Sequence, residues 1–354
     1  TREESIMSRT LILRSRNDRW SIKLNTRVLV VTGVLAVLLA VSSVLALTSG
    51  SHPTSVTDVL ATLVAPDQSE LALIILEIRL PRIFMAILVG AALGSAGLIL
   101  QGLVRNPLAS PDVIGITSGA SAAAVLFLWL GGVTGTSLLL APVAMGGAFA
   151  VALGITALAW QGGISPARLV LVGVGLAAGL TAVTTLLLVL SPDATAMNAY
   201  IWLTGSLYAS QWHDVTALTP WLMACWPLAL IKLRHLDAQS MGEDMALGLG
   251  SALQGHRLLF LMLAVALAGS AVAYAGAVGF IGLIAPHMAR RLVNSGHTGL
   301  LPIAALIGAL ILLYADWVGR VAFIPRDLPA GIFVAGIGAP FFVYLLYRLR
   351  RELG

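Results

Sequence analysis

The sequence predicts an all-α integral membrane protein with ten transmembrane helices, and three observations lead there. Of 354 residues, 58% are hydrophobic and 10% charged, with a mean hydropathy of +0.94. Water-soluble domains carry about 25% charged residues, so no soluble core explains this composition. Ten stretches are apolar and almost free of charge, at about 28–48, 83–104, 113–130, 137–160, 169–190, 215–231, 258–274, 276–289, 299–315 and 328–347. Most match the roughly 17 to 25 residues that a spanning helix requires; 276–289 is short and is included on the parity of its neighbours. With the N-terminus inside, ten crossings return the C-terminus to the inside and place 17 of the 21 Lys and Arg residues on that face. This is the positive-inside bias of a membrane protein with both termini cytoplasmic.

Each element has a local justification. Residues 1–27 form a basic cytoplasmic segment holding seven Lys and Arg. The first span, about 20 residues, exceeds the 7 to 15 of a signal peptide's apolar region and predicts an uncleaved anchor. ILEIRLPR at 75–82 leads into the second span, with Leu80-Pro81 expected to start the helix, because proline suits a first turn. RNPLASPDVIG at 105–115 joins spans two and three on the inner face, its prolines ending one helix and Asp112 standing near the start of the next. A tight inner loop, Gly162 to Ala167, joins spans four and five. GFIGLIAPHMARR at 279–291 closes the eighth span on the inner face. Residues 28–351 thus read as one ten-helix domain with a long cytoplasmic loop at 232–257.

Several function classes are excluded. The net charge of +5 mostly reports topology; nucleic-acid binding would need basic residues clustered on a soluble module. Cys225 is the sole cysteine and lies in an apolar span, which rules out disulfides and cysteine zinc sites. Lys23 and Lys232 are the only lysines, and neither stands in GxxxxGK[ST], so the chain has no phosphate loop for ATP. The six histidines show no HExxH spacing and no serine sits in GxSxG, leaving a polytopic membrane enzyme without a nucleophile. His287 reads as a packing or capping residue, and no metal site is expected. Mid-membrane carboxylates are missing from the pattern, Asp316 lying at the outer end of a span. A proton-coupled secondary transporter of a small molecule is therefore the weaker alternative.

Glycine is abundant, 36 residues, with runs such as VGAALGSAG at 89–97, GVGLAAG at 173–179 and YAGAVGFIG at 274–282. Small residues at three- or four-residue spacing let helix backbones approach closely in lipid, which predicts tight bundling. LGSAG at 93–97 and AGSAV at 268–272 hint at two related halves. In the loop 232–257, Met241, Met245 and Leu249 lie at i, i+4 and i+8, one apolar stripe of a helix. Glu243 and Asp244 fall in its first turn, Gly242 precedes them, and Gly250 suits a left-handed cap. Such a helix fits a groove on another chain; the alternative is a helix resting on lipid.

The motifs at 75–82, 105–115 and 279–291, in this order and spacing, resemble the FecCD family, permease subunits of bacterial ABC importers for iron-siderophores, haem and cobalamin. WLTGSL at 202–207, MGEDMALGLG at 241–250 and LPAGIFVAGIGAPFFVYLL at 328–346 agree, and the match runs from about Arg27 to Arg351. Details look most like ferric-citrate-type permeases. The resemblance implies a type II ABC importer permease fold, with two permease subunits around a central path, as a homodimer or heterodimer. It also implies two cytoplasmic ATPases that bind the ATP and magnesium, and an external binding protein. This chain would then carry iron(III)-siderophore inward with no cofactor or catalytic residue of its own. Arg79, Arg82 and Arg320, with Arg326 the only basic residues outside, match the arginines that receive acidic residues of the binding protein. Arg326 is expected to pair with Asp327, while Glu77 and Asp316 are the competing intrachain partners of the other three. Met241, Gly242, Glu243, Asp244, Met245 and Leu249 match the helix that meets the ATPase. The path would follow the fifth span and the segment after it, 169–208, with Thr181, Thr184 and Thr185 offering polar atoms, although membrane threonines commonly bond their own backbone. The loop Gly162 to Ala167 would be the inner constriction.

Overall fold

A computed structural model describes residues 10–14, 21–50, 54–131, 138–248 and 250–353. It opens with a short antiparallel hairpin, β1 (Thr10–Arg14) and β2 (Ser21–Asn25), Thr10 opposite Asn25. Every later element is helical: α1 (Thr26–Thr48), α2 (Val56–Val64), a short 3₁₀ turn (Pro66–Gln68), a π-helical turn (Leu73–Arg79) running into α3 (Leu80–Val104), α4 (Pro111–Ile114), α5 (Ile116–Gly131) and α6 (Leu140–Ala159). Then come α7 (Pro166–Leu190), α8 (Asp193–Thr204), α9 (Trp212–Ser240), α10 (Glu243–Gly248), α11 (Leu253–Ala275), α12 (Ile281–Leu292), α13 (His297–Val321) and α14 (Ala330–Leu353). Among the described residues eight helices are long and apolar enough to cross a membrane: α1, α3 with its π turn, α6, α7, α9, α11, α13 and α14. The helices at two further predicted spans, α5 and α12, are shorter, with 16 and 12 residues.

The π turn corrects the expected helix start. Leu80 N–H bonds the carbonyl of Ile75, five residues back, so the chain is already helical when it reaches Pro81. Proline inside a helix clashes with the carbonyl four residues earlier, and a widened turn relieves that clash. The indole N–H of Trp212 bonds the Leu76 carbonyl at 2.9 Å.

Helices α3, α11 and α13 form the core, held by the backbone contact the glycines predict. A methyl group at Gly90 would fall on the carbonyl of Gly308 in α13, and one at Gly97 on that of Gly282 in α12. Lipid is as apolar as leucine, so close van der Waals packing is what holds such helices together. The few side-chain bonds between helices are apt: Trp226 donates to Ser95 at 3.0 Å, and Ser42 meets Tyr314 at 2.7 Å.

The eighth predicted span is also corrected. Residues 276–280 are not helical; Gly276 (φ +74°) and Phe280 (φ +64°) take left-handed conformations, and α12 begins only at Ile281. The carboxylate of Asp112 accepts the Phe280 N–H at 3.2 Å and the Thr117 hydroxyl at 2.7 Å, fixing this broken start. Asp112 was legible as a helix-start residue; its tie to a segment 168 positions away was not.

Candidate functional site

At the end of the bundle where α1 finishes and α3 begins, three of the four arginines on the sequence's outer face are built into the chain. Arg82, 7% exposed, lies in the first turn of α3. Its Nε reaches both oxygens of Asp316 on α13 at 2.9 and 3.0 Å, while its terminal nitrogens reach Asp327, before α14, at 2.5 and 2.9 Å. A planar guanidinium can serve two carboxylates at once, which an ammonium cannot. Arg79, also buried, donates to the Leu47 carbonyl at 2.6 Å and the Thr54 hydroxyl at 3.1 Å; Arg320 donates to the Ala46 carbonyl at 2.8 Å. Helix α1 ends at Ser49 without a glycine cap, leaving late carbonyls unpaired, and cations at a helix C-terminus satisfy them and its dipole.

The partners expected from proximity in sequence are therefore not the ones used. Asp327 pairs with Arg82 and not with its neighbour Arg326, whose side chain is exposed. Glu77 is exposed, while Asp316 bonds Arg82. Asp327 was expected beside Arg326, and its pairing with Arg82 escaped the sequence reading because it spans 245 positions.

At the opposite end the stripe is divided. Met241 ends α9, Gly242 (φ +126°) breaks the helix, and α10 covers only Glu243–Gly248. A single helix through Met241, Met245 and Leu249 is thus replaced by two segments; glycine's access to positive φ lets the chain turn there. Leu249 lies outside the described residues. Met241, Met245 and Leu247 are all exposed, and Ala246 is the buried residue of α10. The expected cap is present: Gly250 has φ +74° and donates to the Leu247 carbonyl at 2.9 Å. Glu243 and Asp244 occupy the first turn.

Glu243 accepts from Arg257 at 2.6 Å, and that bond holds its carboxyl below the usual range. Arg257, 2% exposed in the second turn of α11, donates from its other terminal nitrogen to the Ile164 carbonyl at 2.8 Å. Ile164 belongs to the 160–165 loop before α7, a tight turn closed by a Trp160–Ile164 bridge with Gly162 and Gly163 at positive φ. Gln254 accepts the Ile164 N–H at 2.7 Å. The signal for Arg257 was a charge near the start of an apolar helix, which demands a partner.

Between these ends, α7 stands apart. It is apolar, yet much of its surface is exposed, including Leu171, Val174, Val183, Leu186 and Val189. A methyl group at Gly175 or Gly179 would touch nothing within the chain. Thr181, Thr184 and Thr185 each bond the carbonyl four residues back, at 2.8, 2.8 and 2.9 Å. Thr181 and Thr185 are exposed and Thr184 is buried, so the three do not share one face. His287 packs edge-on against Phe341 of α14. Among the described residues no three His, Cys, Asp or Glu side chains converge as a metal ion would require.

A bundle with, among the described residues, eight helices long and apolar enough to cross a membrane defines a multi-pass membrane protein. The chain belongs to the FecCD transport family, whose model matches residues 38–348. It is 47% identical over 336 residues to the achromobactin transport system permease protein CbrC of Dickeya dadantii, covering 95% of this chain and 96% of that one. It is 41% identical over 278 residues to the Fe(3+) dicitrate transport system permease protein FecD of Escherichia coli, covering 78% and 86%. Among solved structures, an inward-facing putative metal-chelate type ABC transporter superposes with a TM-score of 0.78 at 30% identity, covering 90% of this chain and 99% of that chain.

Proposed function

We propose that the chain is the membrane permease subunit of an ABC importer that moves an iron(III)-siderophore complex into the bacterial cytoplasm. The observation that carries this reading is agreement over most of the chain: relatives named for achromobactin and ferric dicitrate transport and a metal-chelate type transporter structure cover 95%, 78% and 90% of it. Ten crossings with both termini cytoplasmic follow if the short helices α5 and α12 complete spans with their non-helical flanks, which the charge bias supports. ATP and magnesium belong to two partner ATPases, since no phosphate loop exists in this sequence.

The exposed Met241, Met245 and Leu247 around α10 form the ATPase-facing ledge, with Glu243 and Asp244 at its acidic start and Gly242 as its hinge. Exposed acids make this ledge a poorer match for anionic lipid headgroups than for a protein groove. The open face of α7 is where a second permease subunit packs, with the path along that contact past Thr181 and Thr185. A binding protein docks on the outer end. There Arg82 and Arg79 build the platform, and Arg320 and exposed Arg326 are the cations nearest its surface.

Co-expression with the ATPase encoded beside this chain tests the reading. The isolated chain hydrolyses no ATP, the complex does, and Met245→Glu weakens their association by several kcal/mol, because the new charge must be buried unpaired. Robust hydrolysis by the isolated chain, or association unchanged in Met245→Glu, removes it.

A further inference from the structure

We infer that Arg257 is a positioning residue that ties the α10 ledge to the loop opening α7, so that motion imposed on α10 is passed to that helix. This rests on the importer reading for what pushes α10; the linkage itself is geometric. One guanidinium spans the two parts, donating to the Glu243 carboxylate at 2.6 Å and to the Ile164 carbonyl at 2.8 Å. Arg257 is 2% exposed and its bond to the Ile164 carbonyl is buried, while the Glu243 carboxylate at the other end is half exposed. A buried donor pulled from its acceptor leaves a polar group unsatisfied, which makes the bridge transmit displacement instead of yielding to it.

Neighbouring contacts make each end of the bridge a unit. On the ledge side, Ser251 N–H bonds the Ala246 carbonyl at 3.0 Å, and His256 stacks on His235 of α9 with ring centres 3.8 Å apart. On the loop side, Gln254 holds the Ile164 N–H, so α11 grips both polar groups of that residue. A methyl group at Gly163 would collide with the Gln254 amide, so the loop lies flush against α11. Two residues after Ile164, Pro166 begins α7, a helix with much of its surface exposed among the described residues. A shift of α10 relative to α11 must break the Glu243 bond or carry Arg257, and with it the loop. Lysine cannot replace this function, because one ammonium lacks the two opposed donors of the fork.

The test uses the assembled permease and ATPase in lipid nanodiscs. With Cys225 replaced by Ser, spin labels at Trp160→Cys in the loop and Met223→Cys on α9 report the loop's distance from a fixed helix, with and without ATP. In the unmodified bridge, nucleotide changes this distance. In both Arg257→Lys and Glu243→Gln the change shrinks at least threefold, and in Arg257→Lys, whose side chain is buried behind the ledge, ATPase co-purification persists. Glu243 is half exposed, so Glu243→Gln leaves the fold intact even where Arg257→Lys does not. A nucleotide response of equal size in Glu243→Gln, or none with the bridge intact, overturns the inference. An ATPase that does not associate with the unmodified chain overturns the importer reading instead.

Discussion

Helices α3 and α7 look alike in sequence and end in opposite places. Both have 25 residues, both carry glycines at close spacing, and both are strongly apolar. Yet in their most apolar windows 78% of residues are buried for the α3 span and 17% for α7. The difference is partnership: Gly90 and Gly97 meet carbonyls of α13 and α12, whereas Gly175 and Gly179 meet nothing in this chain. A glycine-lined groove is worth something in lipid only when a second backbone fills it. Helix α3 also has a polar anchor, Arg82 between two carboxylates, while the threonines of α7 bond only their own helix.

The comparison breaks most sharply at Arg82. Arg82→Met leaves Asp316 buried without its cation, and breaking a buried pair from one side costs about 3 to 5 kcal/mol. Thermal unfolding in detergent should show a large drop that Asp316→Asn, added to Arg82→Met, partly restores. Restoration by Asp316→Asn separates a structural clamp from a docking cation, which would need no such compensation.

Gly97→Leu comes next. Its side chain would displace the α12 backbone at Gly282, and overpacking of this kind costs about 3 kcal/mol at the upper end of its usual range. Loss of folded monomer on size-exclusion chromatography checks it. If Gly97→Leu folds normally, tight backbone contact is not what distinguishes α3.

Gly179→Leu should leave the monomer's stability within about 1 kcal/mol, since leucine favours helix and finds open space. It should still reduce pairing of permease subunits, read by cross-linking in native membranes. A smaller effect again is expected for Thr181→Val, within about 0.5 kcal/mol of stability, because its hydroxyl only duplicates a backbone contact.

How far the sequence could be read differs between the sites. The acidic first turn of α10 and the left-handed Gly250 are consequences of residues a few positions apart and are present, whereas the expected stripe Met241, Met245, Leu249 is broken at Gly242 and its last member lies outside the described residues. The arginines were legible as exceptions to the charge bias, but not their partners: Asp316 and Asp327 stand 234 and 245 positions from Arg82. The start of α12 was misplaced because the carboxylate that fixes it, Asp112, comes from another loop. Arg257 went unnoticed because its two acceptors, Glu243 and the Ile164 carbonyl, meet only after folding.

By itself, the sequence determined what is local or additive. Apolar length set where helices run, charge asymmetry set the expected orientation, and the sequence carries no GxxxxGK[ST] phosphate loop. The tertiary structure alone decided which glycine faces are filled and which carboxylate each arginine meets. Those outcomes depend on contacts between residues far apart in the chain, and in lipid, where every exposed surface is equally apolar, composition carries no record of which helix faces another helix and which faces the bilayer.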